Sequence, residues 1–307
     1  MNFKIKTIYS YLPSRVETLD YLCKKNKDWD SKQIFLRTGI KKKRIIEKNQ
    51  TIKNLILGLK SKYNIKELKE CGLIILVTQT PHYTIPSNAH YFQKIFKMKK
   101  PSIAFDVNQG CSGYVYGLAI AESLLQKFNI SKGALITCDT YSKYIGLNNR
   151  TCRSVFGDAL TLTILEKSSN KHFIDFKLGS DASGFDNFKL NLGEINMNGS
   201  EMYNFTRQAI TKEIENILLM NKLKIKDIKF FIFHQASKLI LETLQKNLAI
   251  PKKNFYNNII NIGNTTSSSI PLAIKELKKF KKLKKGDLIL LSGFGAGYSW
   301  GSCIYKY

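Results

Sequence analysis

"AFDVNQGCSGYVYGLAIAESLL", residues 104–125, opens as an apolar run, breaks at Asn108-Gln109-Gly110 and restarts past a cysteine with helical spacing. Ile103 to Val107 has the length and composition of a strand. From 114 to 128 apolar residues recur at Val115, Leu118, Ala119, Leu124, Leu125 and in between, so this helix is apolar nearly all round. Such a helix is buried on every side. Cys111 therefore stands at a strand-to-helix corner between Gly110 and Gly113. A thiol there is either core filler or a nucleophile held at a helix N-terminus.

The stretch has a counterpart later in the chain. "GLAIAESLLQK" (117–127) is similar to "PLAIKELKKF" (271–280), with Leu-Ala-Ile matching at an offset of 154. "KGALITCD" (132–139) is similar to "KGDLILLS" (285–292) at an offset of 153. "IKELKECGLIILVTQT" (65–80) is similar to "IKDIKFFIFHQA" (225–236), which sets Thr78 against His234. Segments matched in the same order at nearly constant offset indicate an internal duplication. Each copy reads strand, loop, helix, strand, strand. The runs Leu73–Val77, Ile103–Val107, Ala134–Thr137, Phe230–Phe233 and Leu288–Leu291 are continuously apolar, which predicts strands buried on both faces. Alternating β and α elements predict an α/β architecture. Two related halves, 1–166 and 167–307, with central helices between two sheets, predict a five-layered αβαβα body with pseudo-twofold symmetry. No linker rich in Pro, Gly or Ser separates them, so they form one packed unit.

At 307 residues, 43% hydrophobic and 23% charged, the composition is that of a globular chain and not a disordered one. The apolar runs are strand-sized, far short of a membrane span, and the N-terminus lacks the apolar stretch of a signal peptide. Six cysteines without a C-x-x-C pair, and only four histidines, argue against a zinc or iron–sulfur site. Scattered cysteines fit a reducing compartment, so a cytoplasmic location is expected. The net charge of +26 points to anionic partners: nucleic acid, a membrane surface, an acidic protein or a phosphorylated ligand. The lysines are dispersed, with no arginine-rich arm or aromatic-basic strand pattern, which argues against specific nucleic-acid binding.

The duplication gathers the chemistry. At an offset of 154 Cys111 falls on Thr265, the neighbour of Asn264. His234, opposite Thr78, follows a strand. Cys111, His234 and Asn264 thus come to loops on one side of the sheets, where ligand sites of α/β proteins form. A helix N-terminus is expected to lower the thiol pKa from about 8.5. Asn264, in "NIGNTTSSSIP", is either a helix cap or a polar group of the site. "SGFGAGYSWGS" (292–302), with glycines at 293, 295 and 297, is either a hairpin turn or a source of backbone N–H groups for an oxyanion. Cys71 and Cys138 lie in or beside apolar runs and read as core. A Cys…His…Asn order also describes papain-like hydrolases, but the context "NQGCSGY" and the duplication do not fit them.

Together these segments resemble the β-ketoacyl-acyl carrier protein synthase III group of thiolase-like condensing enzymes. The resemblance runs through "RTGIKKKR" (37–44), "TQTPHYTIPS" (78–87), "DVNQGCSGYVYGLAIA" (106–121), "FGDALTLTIL" (156–165), "MNGSEMYNF" (197–205), "FHQAS" (233–237), "NIGNTTSSSIPLA" (261–273) and "GFGAGYSWGS" (293–302). It implies a thiolase-like fold, a homodimer, and catalysis by Cys111, His234 and Asn264. It further implies an oxyanion hole from the N–H groups of Cys111 and Ala296, and an acyl pocket shaped by Phe294 and by Ile85 reaching across the dimer. Arg37 and Arg150 match positions that contact coenzyme A; their alternative is a surface ion pair. The substrates implied are acyl-coenzyme A and malonyl-acyl carrier protein, an acidic partner that suits a basic surface, with no resident cofactor and no membrane insertion. Where the family often carries a Trp for adenine, this chain has Gln33, with Trp29 nearby; where a basic residue often follows the histidine, it has Leu239. These departures point to a specialised pathway. Two other readings are weighed: a same-fold acyltransferase passing the Cys111-bound acyl group to an alcohol or amine, and a non-catalytic nucleic-acid-binding protein.

Overall fold

A computed structural model describes residues 1–98, 102–191 and 193–307. Its first sheet has five strands in the order Asn2–Tyr11, Ala159–Ser168, Lys132–Asp139, Leu73–Val77 and Ile103–Val107. The last three are mutually parallel and the first two antiparallel to their neighbours. The second sheet runs Phe173–Ser180, Ser299–Lys306, Leu288–Gly295 and Phe230–Phe233, with only the last pair parallel. Strand for strand it repeats the first sheet without its fifth member, so the duplication read from the sequence is a duplication of topology.

Helices Gly113–Lys127 and Ser269–Lys279 lie between the sheets. Strand residues of one parity face them: Leu73, Ile75 and Val77 pack with Tyr114, Val115, Leu118, Ile270 and Ala273, and with Ile232 and Leu291 of the second sheet. Residues of the other parity face outward. Ile74, Leu76 and Ile136 are covered by helices Ile52–Lys62 and Asn88–Ile95. Phe231, Phe233 and Leu290 are covered by Thr211–Met220 and Lys238–Asn247. That makes five layers. Each fully buried Leu, Ile or Phe stabilises by about 1.5–3 kcal/mol, so covering both faces of each sheet is what these continuous apolar runs demand.

One strand departs from the expectation of full burial. Ile103–Val107 is half-buried at every position. It sits at the edge of its sheet, hydrogen-bonded on one side only, to Leu73–Val77. An edge strand lacks a neighbour on one side, which leaves its residues partly exposed.

Candidate active site

The chain leaves the edge strand and turns at Gly110, whose carbonyl accepts from the Gly113 N–H at 2.8 Å. Helix Gly113–Lys127 follows, with Cys111 two residues ahead of it. The Ser112 hydroxyl meets that of Ser299 at 2.8 Å, tying this corner to the second half. Strands Leu288–Gly295 and Ser299–Lys306 pair with Gly295 opposite Ser299, so the glycine-rich segment is a hairpin turn. The turn also packs onto the thiol. A Cβ on Gly295 would stand 2.9 Å from Cys111 Cβ and 3.2 Å from its Sγ. Only a residue without a side chain lets the backbone come this close.

Cys111 is 5% exposed. Burial, and then the Asp139 charge, push its thiol well above the ordinary range. This corrects the expectation of a lowered pKa: in so dry a setting, desolvating the thiolate outweighs the pull of the helix N-terminus. Burial also raises the Cys71 thiol to about 12 and lifts that of Cys138, both in the core as expected.

His234 follows strand Phe230–Phe233, and its N–H donates to the Ser292 carbonyl at 2.7 Å, fixing it to the end of the adjacent strand. Its Nδ1 lies 2.8 Å from Ser269 Oγ, and its ring stands edge-on to Phe294 with centroids 5.7 Å apart. Burial lowers its pKa to about 3, outweighing a hydrogen bond that the ring donates to the Thr266 backbone, which raises it. The imidazole is therefore neutral at any physiological pH.

Asn264 is clamped through its backbone: its N–H donates to Val155 O at 3.0 Å and its carbonyl accepts from Gly157 N–H at 2.8 Å. Its side-chain Oδ1 accepts from the Thr266 N–H at 2.9 Å, the local capping role the sequence allows. That bond orients the amide and leaves Nδ2, with one long contact to Ala236 O at 3.4 Å, as the donor end. Gly263 precedes it at φ +75°, the left-handed region that favours glycine. A buried ion triad underlies this loop. Lys43 Nζ donates to Glu17 Oε1 at 2.7 Å and Arg153 Nη2 to Glu17 Oε2 at 2.6 Å. Burial pushes the Glu17 carboxyl up, but the two cations outweigh it and hold it below its usual range.

Cys111, His234, Asn264 and Phe294 line one cavity of about 370 Å³. Its outer wall carries Asp30, Gln33, Arg37, Arg150 and Leu239, all exposed. Neither Arg37 nor Arg150 meets a carboxylate within 4.0 Å among the described residues, so the ion-pair alternative is not realised. Trp29 is buried against Leu19, Leu22 and Ile34 and cannot stand in for an aromatic at the mouth. Ala296, one residue beyond Gly295, lines a second cavity, and Ile85 is 87% exposed and lines neither.

Two residues of this site escaped the sequence reading. Ser269 is the partner of His234, and its only signal was membership of a run of hydroxyls. Buried Asp139 accepts from Gln79 N at 2.8 Å and from the hydroxyls of Thr78, Thr80, Thr266 and Ser267. Burial nonetheless raises its pKa to about 6. It joins the loop after Val77 to the loop carrying Asn264, a link between distant segments that no local pattern announces.

Residues 105–182 match the family model described as 3-oxoacyl-[acyl-carrier-protein (ACP)] synthase III, and residues 218–307 the model of its C-terminal part. The β-ketoacyl-[acyl-carrier-protein] synthase III of Clostridium tetani is 34% identical over 308 residues, covering 91% of each chain. The chain belongs to the 3-oxoacyl-[acyl-carrier-protein] synthase III family. It is a condensing enzyme of the ketosynthase III type. The synthase III of Streptococcus agalactiae is 32% identical, covering 99% of this chain and 98% of its own. The crystal structure of synthase III from Aquifex aeolicus matches all of both chains with a TM-score of 0.91 at 30% identity. The αβαβα body is thus the thiolase-like fold of this ketosynthase family. No helix among the described residues is long and apolar enough to cross a membrane.

Proposed function

We propose that this synthase takes an acyl group from acyl-coenzyme A onto Cys111 and condenses it with malonyl-acyl carrier protein to a 3-oxoacyl thioester. The observation that carries the reading is the convergence of a thiol, a neutral imidazole and an oriented amide in one cavity with two unpaired arginines at its mouth. Arg37 and Arg150 take the phosphates of coenzyme A, a role suited to guanidinium forks. In the first step Cys111 Sγ bonds to the thioester carbonyl carbon, and coenzyme A leaves with the thiol proton. The N–H groups of Cys111 and Ala296 hold the oxyanion. In the second step the malonyl carboxylate departs as carbon dioxide, and the bonding pair becomes an enolate. His234 and Asn264 donate to its oxygen. For His234 to donate, Nε2 carries the proton and Nδ1 accepts, which requires the Ser269 hydroxyl proton to turn from the Thr266 carbonyl, 2.9 Å away, to Nδ1. The enolate carbon then attacks the acyl-Cys111 carbonyl, and Cys111 leaves and regains a proton.

The same reading divides the chain into halves 1–166 and 167–307, makes it a cytoplasmic homodimer whose Ile85 closes the partner's acyl pocket, and assigns it no resident cofactor. The half-exposed apolar edge strand supports the dimer. Intact-mass measurement after incubation with acyl-coenzyme A thioesters tests the first step: an adduct on the native chain and none on Cys111→Ala is expected. Adding malonyl-acyl carrier protein then releases carbon dioxide. An adduct that persists on Cys111→Ala overturns the nucleophile; an adduct without decarboxylation favours plain acyl transfer.

A further inference from the structure

On the other side of the thiol corner lies the second cavity, about 270 Å³. Phe188 lines both cavities, and Ala296 brings the second within one residue of Gly295, which touches the sulfur. The lining of the second cavity is mixed: Leu190 and Ile195 are apolar, and Gln79, Thr80, Asn108, Tyr141 and Lys189 are polar. Gln79 and Tyr141 press against the residue before the nucleophile. A Cβ on Gly110 would overlap Gln79 Oε1 and stand 3.4 Å from Tyr141 Oη. The Tyr141 hydroxyl donates to Gln79 Oε1 in a short hydrogen bond.

That bond satisfies one acceptor and one donor only. Gln79 Nε2 and the whole Asn108 amide have no hydrogen-bond partner among the described residues, and the Tyr141 oxygen keeps its lone pairs. Asn108 is exposed and stays hydrated, but a saturated acyl chain filling this cavity would strip water from the Gln79 amide and the Tyr141 oxygen and return no hydrogen bond, which is unfavourable. A hydroxyl on the chain would accept from the Gln79 amide and donate to the Tyr141 oxygen. Because the pair abuts Gly110, that hydroxyl must sit within the first few carbons of the carbonyl attached to Cys111.

We propose that the acyl substrate is a hydroxyacyl thioester, with its hydroxyl close to the thioester carbonyl, and that Gln79 and Tyr141 select it. This rests on the reading that Cys111 is acylated. The test is a competition between equimolar 3-hydroxybutyryl- and butyryl-coenzyme A on the full chain, with the two Cys111 adducts separated by intact mass. The hydroxyacyl adduct is expected to form about tenfold faster, the scale of one net hydrogen bond. Tyr141→Phe keeps the ring and removes only the oxygen, and Gln79→Leu removes the amide; in each the ratio falls toward parity. Equal loading of the two thioesters by the native chain, or a preference that survives both substitutions, overturns the proposal while acylation stands. No adduct from either thioester overturns the acylation reading and this proposal with it.

Discussion

Cys111 and His234 show how one residue can be legible in type and illegible in state. Their positions at a strand-to-helix corner and a strand end are written in local sequence. Their protonation is not, because it depends on burial by both halves. His234 illustrates the consequence. Its pKa lies near 6.5 when unfolded and about 3 when folded, so between those values the unfolded chain binds a proton that the folded one refuses. Its contribution is intact above 6.5 and lost as pH falls. Asp139 and the buried Asp158, which accepts from the Ile46 N–H at 2.8 Å, act with opposite sign. Burial raises both from 3.8 to about 6, so the folded state gains protons first and regains stability as pH falls through that window. Replacing His234 with Gln removes one titration and leaves the other two. Urea unfolding from about pH 4 to 5.5 should then show a pH slope less acid-sensitive than the native one by about 1.4 kcal/mol per pH unit. Identical slopes would show that His234 is protonated in the folded chain.

At the scale of elements, the hairpin Leu288–Gly295 with Ser299–Lys306 serves two structural ends at once. It is a turn, as its glycines suggest, and it is also the wall against which the thiol rests. Gly295→Ala puts a methyl 2.9 Å from Cys111 Cβ, and the Ser112–Ser299 bond keeps the two elements from parting. Denaturant melts of that variant should show a loss of about 1–3 kcal/mol, the usual cost of overpacking. Acyl loading should slow by about 100-fold, as misplacing a reacting atom by about 1 Å does. A variant that loads at the native rate would place the sulfur away from this loop. Asn264 teaches the same lesson. The capping bond from Thr266 N–H and the presentation of Nδ2 are one arrangement, so a residue that looks like an ordinary cap can also be aimed at a cavity.

For the whole molecule, the edge strand Ile103–Val107 carries the prediction. It leaves half-buried apolar residues and an unpaired edge beside the thiol corner, features that a monomer rarely leaves uncovered. Sedimentation of the 35.1 kDa chain should give a species of about 70 kDa, twice the chain mass. A monomer at micromolar concentration would refute the dimer. The sequence by itself determined the duplication, the alternation of strands and helices, and the three loops that meet. Those rest on period, composition and order along the chain, which local physics imposes. Only the tertiary structure decided the raised thiol, the neutral histidine with its Ser269 partner, the Asp139 link and the Gln79–Tyr141 wall. Each is set by groups far apart in sequence whose desolvation and hydrogen bonding exist only once the two halves have closed on each other.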